Sequence, residues 1–292
     1  MSQQTIGFIG MGVMGKSMAE HLLNAGYPVH VYNRTKSKAD PLVEQGAIWE
    51  DSVKDIASKS DVIITIIGKP QDVENVYLSE DGIVQHAKAG SYAIDMTTSK
   101  PKLATKIYEQ AKEKGIHALD APVSGGDVGA KNAKLTIMVG GEKTAYDAVL
   151  PIFERMGENI VLQGEAGAGQ HTKMVNQIAI APGMIGICEA LLYAKDAGLD
   201  PTTVLSSIES GAAGSFSLSN YGPRIIEGDF SPGFAIKHFI KDMQIALESA
   251  EEMGLETPGL KLALDMYEKV ADQGEWESGT HALLKYYRET GL

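Results

Sequence analysis

From residue 5 to about 163 the chain alternates between short apolar runs and stretches with helical spacing. The runs TIGFIG, PVHVYNR, DVIITII, SYAIDM, HALDAP and LTIMVGG, with NIVLQG at 159–164 as the last, show little polar alternation. Runs of this kind fit strands buried on both faces, as in a parallel sheet covered by helices. Helical spacing fills most of the gaps, around residues 13–25, 36–45, 71–78 and 101–114. After Gly169 the strand signal stops. Helix then follows helix, at about 168–197, 201–209, 215–227, 237–253, 258–272 and 279–289. The turns between them, AGLDP, EGDFSP and MGLETPG, carry the glycines and prolines that punctuate helices. The pattern predicts an α/β chain: a doubly wound, mostly parallel sheet over residues 1–164, then an all-α domain over 165–292.

The first strand runs straight into Gly10, Gly12 and Gly15 in G-x-G-x-x-G spacing, with Met11, Val13 and Met14 between and beside them. Gly10 allows the tight turn, Gly12 lets a pyrophosphate approach the backbone, and Gly15 lets the following helix pack closely on the strand. A glycine-rich turn alone is weak evidence, but here strand, helix and next strand occur in the required order. This predicts a Rossmann-type nicotinamide dinucleotide site. At the end of the second strand a cofactor with a free ribose 2′-hydroxyl usually meets a carboxylate. This chain has Asn33 instead, followed by Arg34, Thr35, Lys36 and Lys38. A guanidinium can grip a 2′-phosphate with a planar fork of donors, which favours NADP over NAD. The bland alternative is a solvated helix start.

Composition narrows the partners. The formal net charge of −12 argues against non-specific binding to nucleic acid or an anionic membrane. The single cysteine, Cys188, cannot form an internal disulfide. The N-terminus lacks a basic and apolar export signal, and no uninterrupted run of eighteen apolar residues occurs, so a cytoplasmic protein with no membrane span is expected. The seven histidines show no metal-binding spacing, and no metal is expected.

The stretch GAGQHTKMVNQIAIA, residues 167–181, sets Lys173, Asn176 and Gln177 on one face of an otherwise apolar helix. Read alone, the lysine is as well explained by snorkelling to solvent. Pro182 lies farther along and removes the hydrogen bond to the Ile178 carbonyl, which predicts a kink. Gly183 and Gly186 follow it and suggest close packing against a neighbour, such as a second subunit.

Four segments are matched in order by one family: GFIGMGVMGKSMAEHLL, DAPVSGG at 120–126, GAGQHTKMVNQ at 167–177 and FIKDMQIA at 239–246. Through them the chain resembles the β-hydroxyacid dehydrogenase family, which includes 3-hydroxyisobutyrate dehydrogenase and tartronate semialdehyde reductase and is related to 6-phosphogluconate dehydrogenase. The resemblance implies that Lys173 is the catalytic lysine, that Ser124, Gly125 and Gly126 hold the substrate carboxylate, and that Thr98 and Lys241 lie near the cofactor. Successive N–H groups in a small-residue turn do suit an anion, although a plain flexible connection reads the same way. Lys241 with Asp242 would otherwise pass for a solvated helical charge pair. Phe234 and the segment GAAGSFSLSNYGPR at 211–224 are candidates for the substrate wall, or in the latter case a helix start capped by Ser215 or Ser217. The family's commoner pattern has asparagine at both 176 and 177, so which side chain positions Lys173 stays open.

The implied reaction interconverts a small β-hydroxyacid and its semialdehyde by hydride transfer, with Lys173 as general base or acid. An ordinary lysine titrates at about 10.4, whereas an effective base wants about 7–8. That difference of about three units is about 4 kcal/mol against the charged form, which burial and a nearby cationic nicotinamide can supply. A reductase of short aldehydes, such as glyoxylate or succinic semialdehyde, would use the same residues. A non-catalytic nicotinamide sensor would be expected to lose Lys173 or the Ser124 loop, and imine reductases depart at the lysine position. A homodimer or homotetramer is expected.

Overall fold

The computed structural model describes residues 3–288 and 292. It contains two compact units, Met1–Lys173 and Met174–Leu292.

The first unit is built on nine strands: β1 (Ile6–Ile9), β2 (Val29–Tyr32), β3 (Ile48–Trp49), β4 (Val62–Thr65), β5 (Tyr92–Asp95), β6 (His117–Asp120), β7 (Val123–Ser124), β8 (Leu135–Gly140) and β9 (Gly157–Gly164). They lie in the order β3-β2-β1-β4-β5-β6-β8-β7, with β9 also paired to β8. The first six in that order are mutually parallel. β8 runs antiparallel to β6 and β7 and parallel to β9.

The apolar runs become strands because helices cover both faces. On one face Ile6, Phe8, Val31, Val62 and Ile64 pack with Met18 and Leu22 of the helix Val13–Asn24 and with Val149 and Phe153 of Lys143–Phe153. On the other, Ile9, Ile63 and Ala93 pack with Ile56, Val73, Tyr77 and Ile107. Each strand therefore spends alternate residues on opposite cores.

Several elements differ from the sequence expectation. The segment 36–45 is a short 3-10 turn, Lys36–Lys38, and a separate helix, Asp40–Glu44, which Pro41 starts afresh in its first turn. The last expected helix is a 3-10 helix, Thr280–Tyr286, and residue 289 of that expectation lies outside the described residues. The helices Val53–Lys59 and Lys143–Phe153 and the two-residue strands β3 and β7 were not anticipated.

In the second unit the helices Pro201–Ile208, Phe216–Glu227, Ile236–Glu252 and Pro258–Val270 pack with the later turns of Ala168–Asp196. Met184, Cys188 and Leu191 meet Phe239, Met243, Leu264, Tyr267 and Leu283 in its core. The helix Ala168–Asp196 continues through Pro182 without ending. It is also long and apolar enough to cross a membrane, with mean hydropathy 1.5 over an 18-residue window of which 33% is buried. Alanines and glycines interleaved with single polar residues hide this in the sequence, where no unbroken apolar run occurs.

Candidate active site

The strand order reverses between β1 and β4, and the loops that follow both strands open at one edge of the sheet, where α/β proteins bind ligands. Gly10 turns the chain there with φ of +107° and donates its N–H to Tyr32 O at 3.0 Å. A Cβ on Gly10 would collide with Ile66 O, and one on Gly15 would collide with Gly10 O. Both glycines are thus required by close backbone approach. Gly12 is different: a Cβ there would meet nothing within 4 Å, so the space in front of the loop is open. Gly12 is also the N-cap of Val13–Asn24, which has no side-chain cap and no acid in its first turn. Open space, uncapped N–H groups and a helix dipole fit a dinucleotide pyrophosphate. Val13 is exposed beside the loop, Met14 is half-buried, and Met11 is buried.

Asn33 ties this loop to the next. Its Oδ1 accepts from Met11 N at 3.0 Å, and its Nδ2 donates to Thr35 O at 2.8 Å. Arg34 projects outward with its side chain 80% exposed, steadied by Asp72, whose Oδ1 accepts from Nη1 at 3.2 Å. Lys36 turns aside and lays its ammonium 5.1 Å from the centre of the Trp49 ring.

Around Lys173 the structure shows a buried polar junction. Asp120, at the end of β6, caps the helix Ala168–Asp196: its carboxylate accepts from Gly167 N at 2.7 Å and Gln170 N at 2.8 Å. Gly169 makes the docking close, since a Cβ there would collide with Met138 O and lie 2.6 Å from Asp120 O. Gln170, fully buried, accepts from Ser99 N at 2.9 Å and donates to Thr97 O at 2.7 Å. Thr97 Oγ1 in turn accepts from Ile67 N at 2.9 Å, and Thr97 N donates to Asp95 Oδ1 at 3.1 Å. The ends of β4, β5 and β6 and the helix base are therefore one hydrogen-bonded assembly, with Thr98 between its anchored neighbours. Lys173 follows one turn after Gln170 and is buried, 6% exposed. Burial pushes the Asp95 carboxyl up to about 6, against the pull of Thr97 and Thr65. It also raises Asp120, against the N–H donors of Gly167 and Gln170.

Ser124 ends β7, opposite Thr136 of β8. Gly125 and Gly126 follow with φ of +124° and +64°, a pair of conformations that side chains other than glycine rarely adopt. The half-buried turn they form leads into the short helix Gly126–Lys131.

In the second unit Asn176 Nδ2 donates to Gln177 Oε1 at 2.7 Å, and Gln177 Nε2 donates to Asp242 Oδ2 at 2.7 Å. Lys241 Nζ lies 3.0 Å from the other oxygen of Asp242. Gln177 is fully buried with both ends of its amide engaged, while Asn176 is half-buried. Lys241 and Asp242 are thus no solvated pair: Asp242 is buried, and the Lys241 side chain is 18% exposed. Phe234 packs edge-on against Phe239, ring centres 5.7 Å apart. Ser215 caps Phe216–Glu227 by accepting from Leu218 N at 3.0 Å, which gives the 211–224 segment its helix-start role. Asp95, Thr97, Asp120 and Gln170 were not singled out in the sequence. The available signal was an acid closing each of two buried strands.

Residues 5–164 match the family model described as the NAD binding domain of 6-phosphogluconate dehydrogenase. Residues 167–287 match the one described as NAD-binding of NADP-dependent 3-hydroxyisobutyrate dehydrogenase. The chain is 63% identical to the uncharacterized oxidoreductase YkwC of Bacillus subtilis, over 98% of this chain and 99% of that one. It is 36% identical to the 2-hydroxy-3-oxopropionate reductase of Escherichia coli, over 96% of each. Among solved structures it resembles the 3-hydroxyisobutyrate dehydrogenase of Mycobacterium tuberculosis with L-serine, at a TM-score of 0.90 and 28% identity, covering 98% of this chain and all of that one.

Proposed function

The chain belongs to the β-hydroxyacid dehydrogenase family, and on that premise we propose that Lys173 exchanges a proton with the hydroxyl of a small, carboxylate-bearing β-hydroxyacid as it is oxidised to its semialdehyde. The protein is an NAD(P)-dependent oxidoreductase, and the nicotinamide, when bound, supplies the acceptor or donor of hydride. The Gly10–Gly15 loop and the N-terminus of Val13–Asn24 would hold its pyrophosphate. The observation that carries the proposal is the buried amine of Lys173, one turn beyond a helix base fixed by Asp120 and Gln170. As a general base the amine accepts the hydroxyl proton. In the reducing direction the same group returns the proton to the new hydroxyl. Ser124 and the N–H groups of Gly125 and Gly126 would orient the carboxylate. Gln177, held by Asp242, would fix the face of the helix that follows Lys173.

The test is NADPH absorbance followed with a panel of small acidic semialdehydes, together with glyoxylate and succinic semialdehyde. Turnover of three-carbon semialdehydes ahead of the other two is expected. Cofactor binding without turnover of any would overturn the proposal.

NADP is the preferred cofactor in this reading, because Arg34 is exposed, held by Asp72, and no carboxylate of β2 stands at the ribose position. A charge-assisted hydrogen bond contributes about 1.5–3 kcal/mol, and exposure keeps it near the lower figure. Arg34→Ala should therefore weaken NADPH by about tenfold and NADH by less than about twofold. Equal loss in titrations of both cofactors would remove the argument.

A second copy of the chain would cover the outer face of Ala168–Asp196, where Val175 is 65% and Tyr193 75% exposed. Gly183 and Gly186 lie on that face with open space before them. Light scattering should give a dimer or tetramer; a monomer at micromolar concentration would rule this out.

A further inference from the structure

Gln170 is a fully buried amide in the first turn of a helix, and both of its ends are spent on one short loop. Thr97 O and Ser99 N belong to the two peptide units that flank Thr98. The side chain therefore grips Thr98 from both sides, much as a neighbouring strand would. The gripped loop is 71 to 73 residues away in sequence, so no local turn chemistry demands the contact. It is held from its other side as well, by Asp95 at Thr97 N and through Thr97 Oγ1 at Ile67 N. The backbone N–H of Gln170 is capped by Asp120. One residue thus joins the loop after β5, the end of β6 and the helix turn that precedes Lys173.

We propose that Gln170 is a positioning residue that sets the distance between the Thr98 loop and the amine of Lys173. The role rests on the reading of Lys173 as the proton-transferring group. Reactions between held partners are sensitive to displacements of about 1 Å, which can cost about 100-fold in rate. An amide that donates to one peptide and accepts from the next fixes both spacing and orientation, which an apolar side chain of the same length cannot do.

The test compares Gln170→Met, which keeps length and apolar packing but loses both hydrogen bonds, with Gln170→Ala as a second variant and with Lys173→Ala. Activity is normalised to NADPH-binding sites titrated by fluorescence, so loss of folded protein does not count. For Gln170→Met, kcat should fall about 10–100-fold, with KM and the NADPH Kd within about threefold. The Ser99 amide, which donates to Gln170, should exchange hydrogen faster in the same variant. Combining Gln170→Met with Lys173→Ala should cost no more than Lys173→Ala alone. Unchanged kcat and unchanged Ser99 exchange would overturn the role, as would a loss confined to NADPH affinity or one that multiplies fully with Lys173→Ala. A Lys173→Ala enzyme that retains its kcat would sink the lysine reading itself. Loss in Lys173→Ala but not in Gln170→Met would sink only the positioning role.

Discussion

Lys173→Ala should lower kcat by about 10²–10⁴-fold, the range general acid–base groups contribute, while NADPH binding stays close to wild type. The two properties separate because different parts of the first unit carry them. The turn proposed to hold the dinucleotide is stabilised by Tyr32, Asn33 and Ile66, none of which depends on residue 173. Lys173→Arg should fail as well, since a guanidinium keeps its proton throughout the working range. Steady-state kinetics with the best substrate of the panel, alongside NADPH fluorescence, checks all three. If Lys173→Ala kept more than about a tenth of wild-type kcat, a proton-transfer role for the amine could not stand.

The parallel sheet was legible because strands buried on both faces leave unbroken apolar runs, and β1, β4 and β5 are of that kind. The glycine-rich turn after β1 was legible because Gly15 answers to the backbone carbonyl of nearby Gly10. The helix Val53–Lys59 escaped notice because only Ile56 and Ala57 of it are buried, too few to show a period. β3 and β7 have two residues each, below the length at which alternation can be seen. The polar junction around Lys173 was hidden for another reason. Asp120 and Gly167 are 47 residues apart, and Gln170 and Thr97 are 73 apart, so no spacing rule connects them. The contact of Gln177 with Asp242 is of the same sort, 65 residues farther on. Arg34 was read as a phosphate clamp from its neighbours in sequence, whereas the carboxylate that steadies it sits on a helix 38 residues away. Local geometry can be read from the chain; long-range polar pairing needs the fold.

The same distinction explains why Gly169→Ala should be the most damaging change that touches no functional group. A methyl at this position would collide with Met138 O, lie 2.6 Å from Asp120 O and 2.9 Å from Asp120 Oδ2. The first two are backbone atoms of paired strands, so they cannot rotate away, and the helix base must move instead. Gly140 leaves no slack on the opposite side, because its own hypothetical Cβ lies 2.5 Å from Asp120 Oδ1 and 2.7 Å from Gly169 N. Overpacking of this kind costs about 1–3 kcal/mol, partly offset by about 0.5–1 kcal/mol from alanine's better helix propensity. The net loss of stability is therefore modest, and the protein should still fold. The kinetic effect should be larger than the thermodynamic one. Shifting the base of the helix carries Lys173 with it, and about 1 Å of misplacement is expected to cost about 100-fold in kcat. Denaturant melts and kcat measured on the same preparation separate the two effects. Wild-type kcat with a lowered melting point would mean that the helix absorbs the methyl by bending between residues 169 and 173, so that residue 169 sets stability but not the placement of the amine.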